Sequence, residues 1–185
     1  MILPVFAFGQ PILKKKAINI DNDYNGLKDL ICSMWETMYA AHGVGIAAPQ
    51  IGASIRLFVI DSIQIMEEGK KAEGIKKVFI NAQVVEETGE LWSYEEGCLS
   101  IPNIRGDVER LQKVRIQYVD ENFKRYDEIY EGINARVIQH EYDHIEGVLF
   151  VEKLKPLKKK LIQRKLTDIK TGNATADYKI KFARV

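Results

Sequence analysis

Cysteine, histidine and proline are scarce in this 185-residue chain, at two, three and five residues. Cys32 and Cys98 sit in unlike surroundings and leave no disulfide framework, which excludes the small stapled secreted class and fits a reducing cytoplasm. No apolar run approaches the roughly 20 residues needed to cross a bilayer, so a soluble protein with no membrane partner is expected. Neither sign of charge dominates. With 29% charged residues and a net charge of +1, there is no polycation to hold DNA and no acidic tail. The opening MILPVFAFGQP lacks a basic stretch ahead of its apolar residues and carries Pro4, so it reads as an extended segment of the domain rather than a secretory signal.

What is present is apolar content, 46% of the chain, enough for one core and one domain over residues 1–185. Leu27, Leu30, Ile31, Met34, Trp35 and Met38 recur at helical steps after the possible cap residues Asp21, Asn22 and Asp23, which predicts an amphipathic helix ending near Gly43. GVGIAAPQIG follows, too rich in glycine and proline to continue it. IRLFVI and KVFINAQVVEE read as strands around a polar loop or hairpin at 61–76. VRIQYVD and YDEIYEG read as an antiparallel hairpin. Ile133 to Glu146 returns to helical spacing with Gly147 as its stop, and a second helix runs from Pro156 to Gly172. DYKIKF alternates like a last edge strand. The fold class is α+β with mostly antiparallel sheet.

The strongest chemical feature is HEYDH on the late helix. His140 and His144 lie one turn apart on one face and can direct two imidazoles at one metal ion, with Glu141 beside them within reach of a water. A catalytic site normally takes three protein ligands and keeps one position open. The metzincin completion fails, because Gly147 is in register but Phe150 stands where a third histidine is needed. Glu146 and Glu152 lack the spacing of a thermolysin-like third ligand and read as solvated charges. His42, at the end of the first helix, reads as exposed or capping carbonyls. Cys98 in EEGCLSIP, a tightly turning segment between strands, is the better third ligand, giving a Cys-His-His set. Cys32, beside Ile31 on an apolar helix, reads as a buried small hydrophobe. HEYDH alone also motivates a zinc endopeptidase as the rival enzyme reading.

Three segments together resemble the peptide deformylase family, whose G-x-G-x-A-A-x-Q, E-G-C-L-S and Q-H-E-x-x-H motifs stand here as GVGIAAPQ at 43–50, EGCLS at 96–100 and QHEYDH at 139–144. The resemblance spans nearly the whole chain up to the second helix. It implies that Cys98, His140 and His144 bind the metal and that Glu141 is the general acid/base. It further implies that Gln50 and the Leu99 N–H receive the oxyanion, that Gly45 pairs its backbone with the substrate, and that Arg105 approaches the substrate backbone. The implied reaction is hydrolysis of the N-formyl group of formyl-methionyl nascent peptides, with release of formate. Iron(II) is the implied ion in the cell, with zinc, nickel or cobalt possible in purified protein. A non-catalytic metal- or ribosome-binding module fits less well, since Glu141 and Gln50 are both in place.

Val44, Leu99, Ile133 and Val137 are apolar candidates for a methionine-sized pocket, and the glycines flanking Val44 let a peptide approach as an added strand. For Ile133, plain core packing is an equal alternative. Between Lys153 and Lys170 the chain carries Lys155, Lys158, Lys159, Lys160, Arg164 and Lys165 against one acid, Asp168. That helix face is either simply solvated or a weak docking surface for ribosomal RNA.

Overall fold

The computed structural model describes residues 1–183. Its elements are β1 (Val5–Phe6), α1 (Leu27–Ala40), β2 (Gly45–Ala47), β3 (Leu57–Asp61), β4 (Lys76–Cys98), β5 (Ile101–Val119), β6 (Arg125–Glu131), α2 (Gly132–Ile145), α3 (Pro156–Lys170) and β7 (Ile180–Lys181). Strands β2 to β6 form one antiparallel sheet in sequence order. The architecture is α+β with mostly antiparallel sheet. No helix among the described residues is long and apolar enough to cross a membrane.

Strand β3 is buried along its whole length because both faces of the sheet are covered. Its alternate residues go to different cores, as a period of two requires. Phe58 and Ile60 meet Phe79, Ile116 and the α2 residues Ala135, Ile138 and Ile145. Leu57 and Val59 meet Ile31, Met34 and Met38 of α1. Phe58 stacks on Phe79 with ring centroids 4.8 Å apart. A third cluster joins Ile104 and Val108 of β5 to Leu149, Phe150, Leu154 and the Ile162, Leu166, Ile169 stripe of α3. Phe150 thus serves as core, its ring 6.1 Å from that of His140.

Several expectations need correction. The first helix starts from Gly26 at φ 76 with no side-chain cap, so Asp21, Asn22 and Asp23 do not cap it. Cys32 is exposed, four residues from Glu36 on the solvent side of α1. Glu146 is not simply solvated: it bonds Arg56 Nη1 at 2.6 Å and Lys16 Nζ at 2.9 Å with its side chain 21% exposed. The segment 88–113, without a strand assignment from sequence, completes the long β4–β5 hairpin. Four register shifts interrupt β4, and the inward positions of β5 include Gly106 and Arg110, so hydrophobic alternation is hidden there. The last strand does not join the main sheet. Ile180 and Lys181 pair parallel with Val5 and Phe6 instead.

Candidate metal centre

Strand β4 ends on Cys98, and the two-residue turn Leu99–Ser100 returns the chain into β5. Helix α2 faces this turn with His140 and His144. One donor atom from each of Cys98, His140 and His144 lies within 4.8 Å of the others, and Cys98 Sγ is 3.3 Å from His144 Nε2. The two imidazoles stand at 77° to each other, centroids 5.1 Å apart. A thiolate and two imidazoles converging at this distance fit a divalent transition ion with a position left open.

The orientation of His140 is set from behind. Its Nδ1 lies 2.9 Å from Glu96 Oε2, which frees Nε2 for the donor set. Glu96 also accepts two bonds from Arg110, at 2.7 and 2.9 Å, and one from Arg136 at 2.9 Å. Burial alone would raise the Glu96 carboxyl, but Arg110 and His140 outweigh it and hold it well below the usual carboxylate range. Arg110 reaches on to Asp143 at 2.7 Å. Sequence reasoning missed Glu96, Arg110 and Arg136. The available signal was an acid two residues before Cys98 and arginines at inward positions of a strand and a helix.

Glu141 is 4% exposed, and its Oε2 has no hydrogen-bond partner. Burial, with Glu96 and Asp143 adding to it, pushes its pKa up to about 7. A Cβ on Gly45 would stand 2.5 Å from Glu141 Oε1, so only glycine admits the carboxylate there. Burial and the neighbouring His140 push His144 well below its usual value, while Cys98 and Glu96 overcome burial to push His140 up.

Gln50 lies in a 3-10 turn, Ala48–Ile51, directly after β2. The Ala47 N–H donates to its Oε1 at 2.8 Å, as a glutamine at the third position of a helix accepts from the residue before it. Its Nε2 is thereby turned toward Cys98 Sγ at 3.5 Å and Ser100 Oγ at 3.2 Å.

These groups open on a cleft of about 500 Å³. Val44, Gly45, Gln50, Cys98, Leu99, Arg105, Val137, His140 and Glu141 all line it. His144 lies deeper, 1% exposed. Ile133 does not line the cleft. It packs against the α2 core and borders an adjoining depression that shares Ile65 and Tyr94 with the cleft. Arg105 is at the rim, its Nε 2.7 Å from Glu95 Oε2. His42 is exposed at the cleft edge with φ 56. Ile65 brings the polar 61–76 loop into the lining.

Residues 2–160 match the polypeptide deformylase family. The chain is 52% identical to a peptide deformylase of Christiangramia forsetii, covering 98% of this chain and 96% of that one. It is 51% identical to one of Flavobacterium johnsoniae, covering 99% and 97%. The crystal structure of a peptide deformylase from Legionella pneumophila superposes with a TM-score of 0.80 at 38% identity, covering 91% of this chain and 95% of that one. A Plasmodium falciparum peptide deformylase gives 0.80 at 34%, covering 89% and 93%.

Proposed function

The chain belongs to the polypeptide deformylase family, and from that membership we propose that it hydrolyses the N-terminal formyl amide of formyl-methionyl nascent peptides. Formate and a free α-amine are the products. The observation that carries this reading is a buried carboxylate with one unpartnered oxygen, Glu141, in the same cleft as three converging soft donors.

Cys98, His140 and His144 would hold the ion, which when bound acts as a Lewis acid and lowers the pKa of a coordinated water from 15.7 toward about 7. Every other part of the reaction falls to the chain. Glu141, with a pKa of about 7, takes a proton from the attacking water and returns it to the departing amine. The Gln50 amide and the Leu99 N–H donate to the oxyanion, each such donor typically worth about 2.7–4 kcal/mol. Glu96, locked by Arg110 and Arg136, keeps the His140 ring turned toward the donor set.

Strand β2 is an edge of the main sheet, so an extended substrate can lie along Val44 and Gly45 as one more strand. Arg105 at the rim reaches the substrate backbone. Val44, Leu99 and Val137 form the apolar wall for the methionine side chain, and Ile133 stands outside it. Family membership favours iron(II) as the resident ion in a reducing cytoplasm, and the same two imidazoles and thiolate suit zinc, nickel or cobalt in purified protein. The whole chain acts as one catalytic domain. Helix α3 leaves Lys158, Lys159, Lys160, Arg164 and Lys165 exposed, which supports weak, salt-sensitive docking to ribosomal RNA.

Anaerobic purification with metal analysis and a formate assay on one sample tests the reading. Formate should come from formyl-Met-Ala, far less from formyl-Asp-Ala, and unformylated peptides should stay intact. Cleavage of unformylated peptides would instead favour an endopeptidase.

A further inference from the structure

The turn that carries the chemistry is fastened by both ends of the chain. From the N-terminal side, the Phe8 N–H donates to the Ser100 carbonyl at 2.8 Å. From the C-terminal side, the Tyr178 hydroxyl donates to the Leu99 carbonyl at 2.7 Å, and the ring packs in the cluster that includes Leu99. The two ends are joined to each other. Strands β1 and β7 pair in parallel, with Val5 N–H to Lys179 O at 2.8 Å and Ala7 N–H to Lys181 O at 3.0 Å. Gln10 Nε2 adds a bond to Phe182 O at 2.8 Å, and Asn103 Nδ2 holds Thr175 O at 3.0 Å.

An isolated two-stranded pair two residues long has little stability of its own. Its placement is therefore informative. It holds the segment 176–178 against the cleft, where Ala176, Asp177 and Tyr178 line the wall. All three lie beyond the family-matched residues 2–160. Leu99 sits between two demands, since its N–H is the oxyanion donor proposed above and its carbonyl is the atom that Tyr178 fixes. The fixed carbonyl and the Leu99 N–H belong to successive peptide planes hinged at the Leu99 Cα, so without the phenol the turn can relax about that hinge and shift the N–H and the neighbouring Cys98.

We propose that Tyr178 is a positioning residue: by holding the Leu99 carbonyl, its hydroxyl sets the turn that aims the Leu99 N–H and the Cys98 sulfur into the cleft. This rests on the roles given above to Cys98 and Leu99. A phenol that only packs would be replaceable by phenylalanine without consequence, so Tyr178→Phe separates the two.

The test uses the full chain loaded with cobalt(II), recording both the cobalt–thiolate absorption and steady-state formate release. For Tyr178→Phe, kcat should fall about 10-fold, in line with loss of one part-buried hydrogen bond. KM should stay within about 2-fold, because phenylalanine keeps the ring that lines the cleft. The cobalt–thiolate bands should shift. Wild-type bands, or a rise in KM with kcat unchanged, overturn the proposal. If the phenylalanine variant is unstable, Tyr178→Leu keeps the apolar bulk without the hydroxyl and carries the same expectations. If the wild-type chain releases no formate, the deformylase reading fails, and the cobalt bands alone then decide the role of Tyr178.

Discussion

Two clusters of charge sit along the same β4–β5 hairpin, one at its turn and one at its open end. At the turn, Glu96 is bound by Arg110, Arg136 and His140. At the open end, Lys77 bonds Glu128 at 2.8 Å and the hydroxyls of Tyr118 and Tyr130 at 3.2 and 2.9 Å, while Glu128 also accepts from both tyrosines. In both, ion pairing outweighs burial and depresses a carboxyl. Burial and exit differ. Glu96 and Arg110 are 4% and 5% exposed, against 34% for both Lys77 and Glu128. Only the Glu96 cluster ends on a group, His140, with a second nitrogen free to face the cleft. Paired buried charge is therefore common structural cement, and function follows from what its last member has left over.

Substitutions at each cluster sharpen this contrast. Glu96→Gln should have the largest effect, since it leaves Arg110 and Arg136 facing a neutral amide. Breaking such a buried pair costs about 3–5 kcal/mol, and loss of the histidine's partner should weaken metal affinity about 10–100-fold. Denaturant unfolding and competition with a chelator measure the two. Lys77→Met should cost about 1–3 kcal/mol through the partners it orphans and leave metal content and turnover as they were. A drop in metal content would erase the distinction between the clusters.

The smallest effect should come from Glu128→Gln, about 1 kcal/mol at neutral pH for a group one-third exposed. Its sign with pH is fixed. Burial raises the Glu128 carboxyl, but Lys77 and the two tyrosines lower it further, so the stabilisation is present above the unfolded value near 4.3 and lost as pH falls through the folded one. Wild type and variant should therefore differ most near neutrality and converge in acid. A gap that widens in acid would reverse the assignment.

Much of the frame was legible in the sequence, because helical and strand periods announce buried faces. Met34, Met38 and the IRLFVI run reported their elements through apolar spacing alone. HEYDH gave two of the three converging donors, since a four-residue step on a helix fixes a common face. The hairpin arm between residues 88 and 113 was not legible. Its register shifts break the alternation, and inward positions held by Gly106 and Arg110 look polar or empty to a hydrophobic reading. Glu96 was missed for the same reason: a buried acid is intelligible only beside partners 14 and 40 residues away. Cys32 was misjudged because sequence neighbours on a helix face different ways.

The central claim is that Cys98, His140 and His144 hold the ion while Glu141 moves the proton. Glu141→Gln, purified anaerobically with ion content and formate release measured on one sample, tests it most directly. The variant should keep the wild-type ion content while kcat falls about 10²–10⁴-fold, the usual worth of a general acid–base group. Full turnover with the ion retained would contradict the claim.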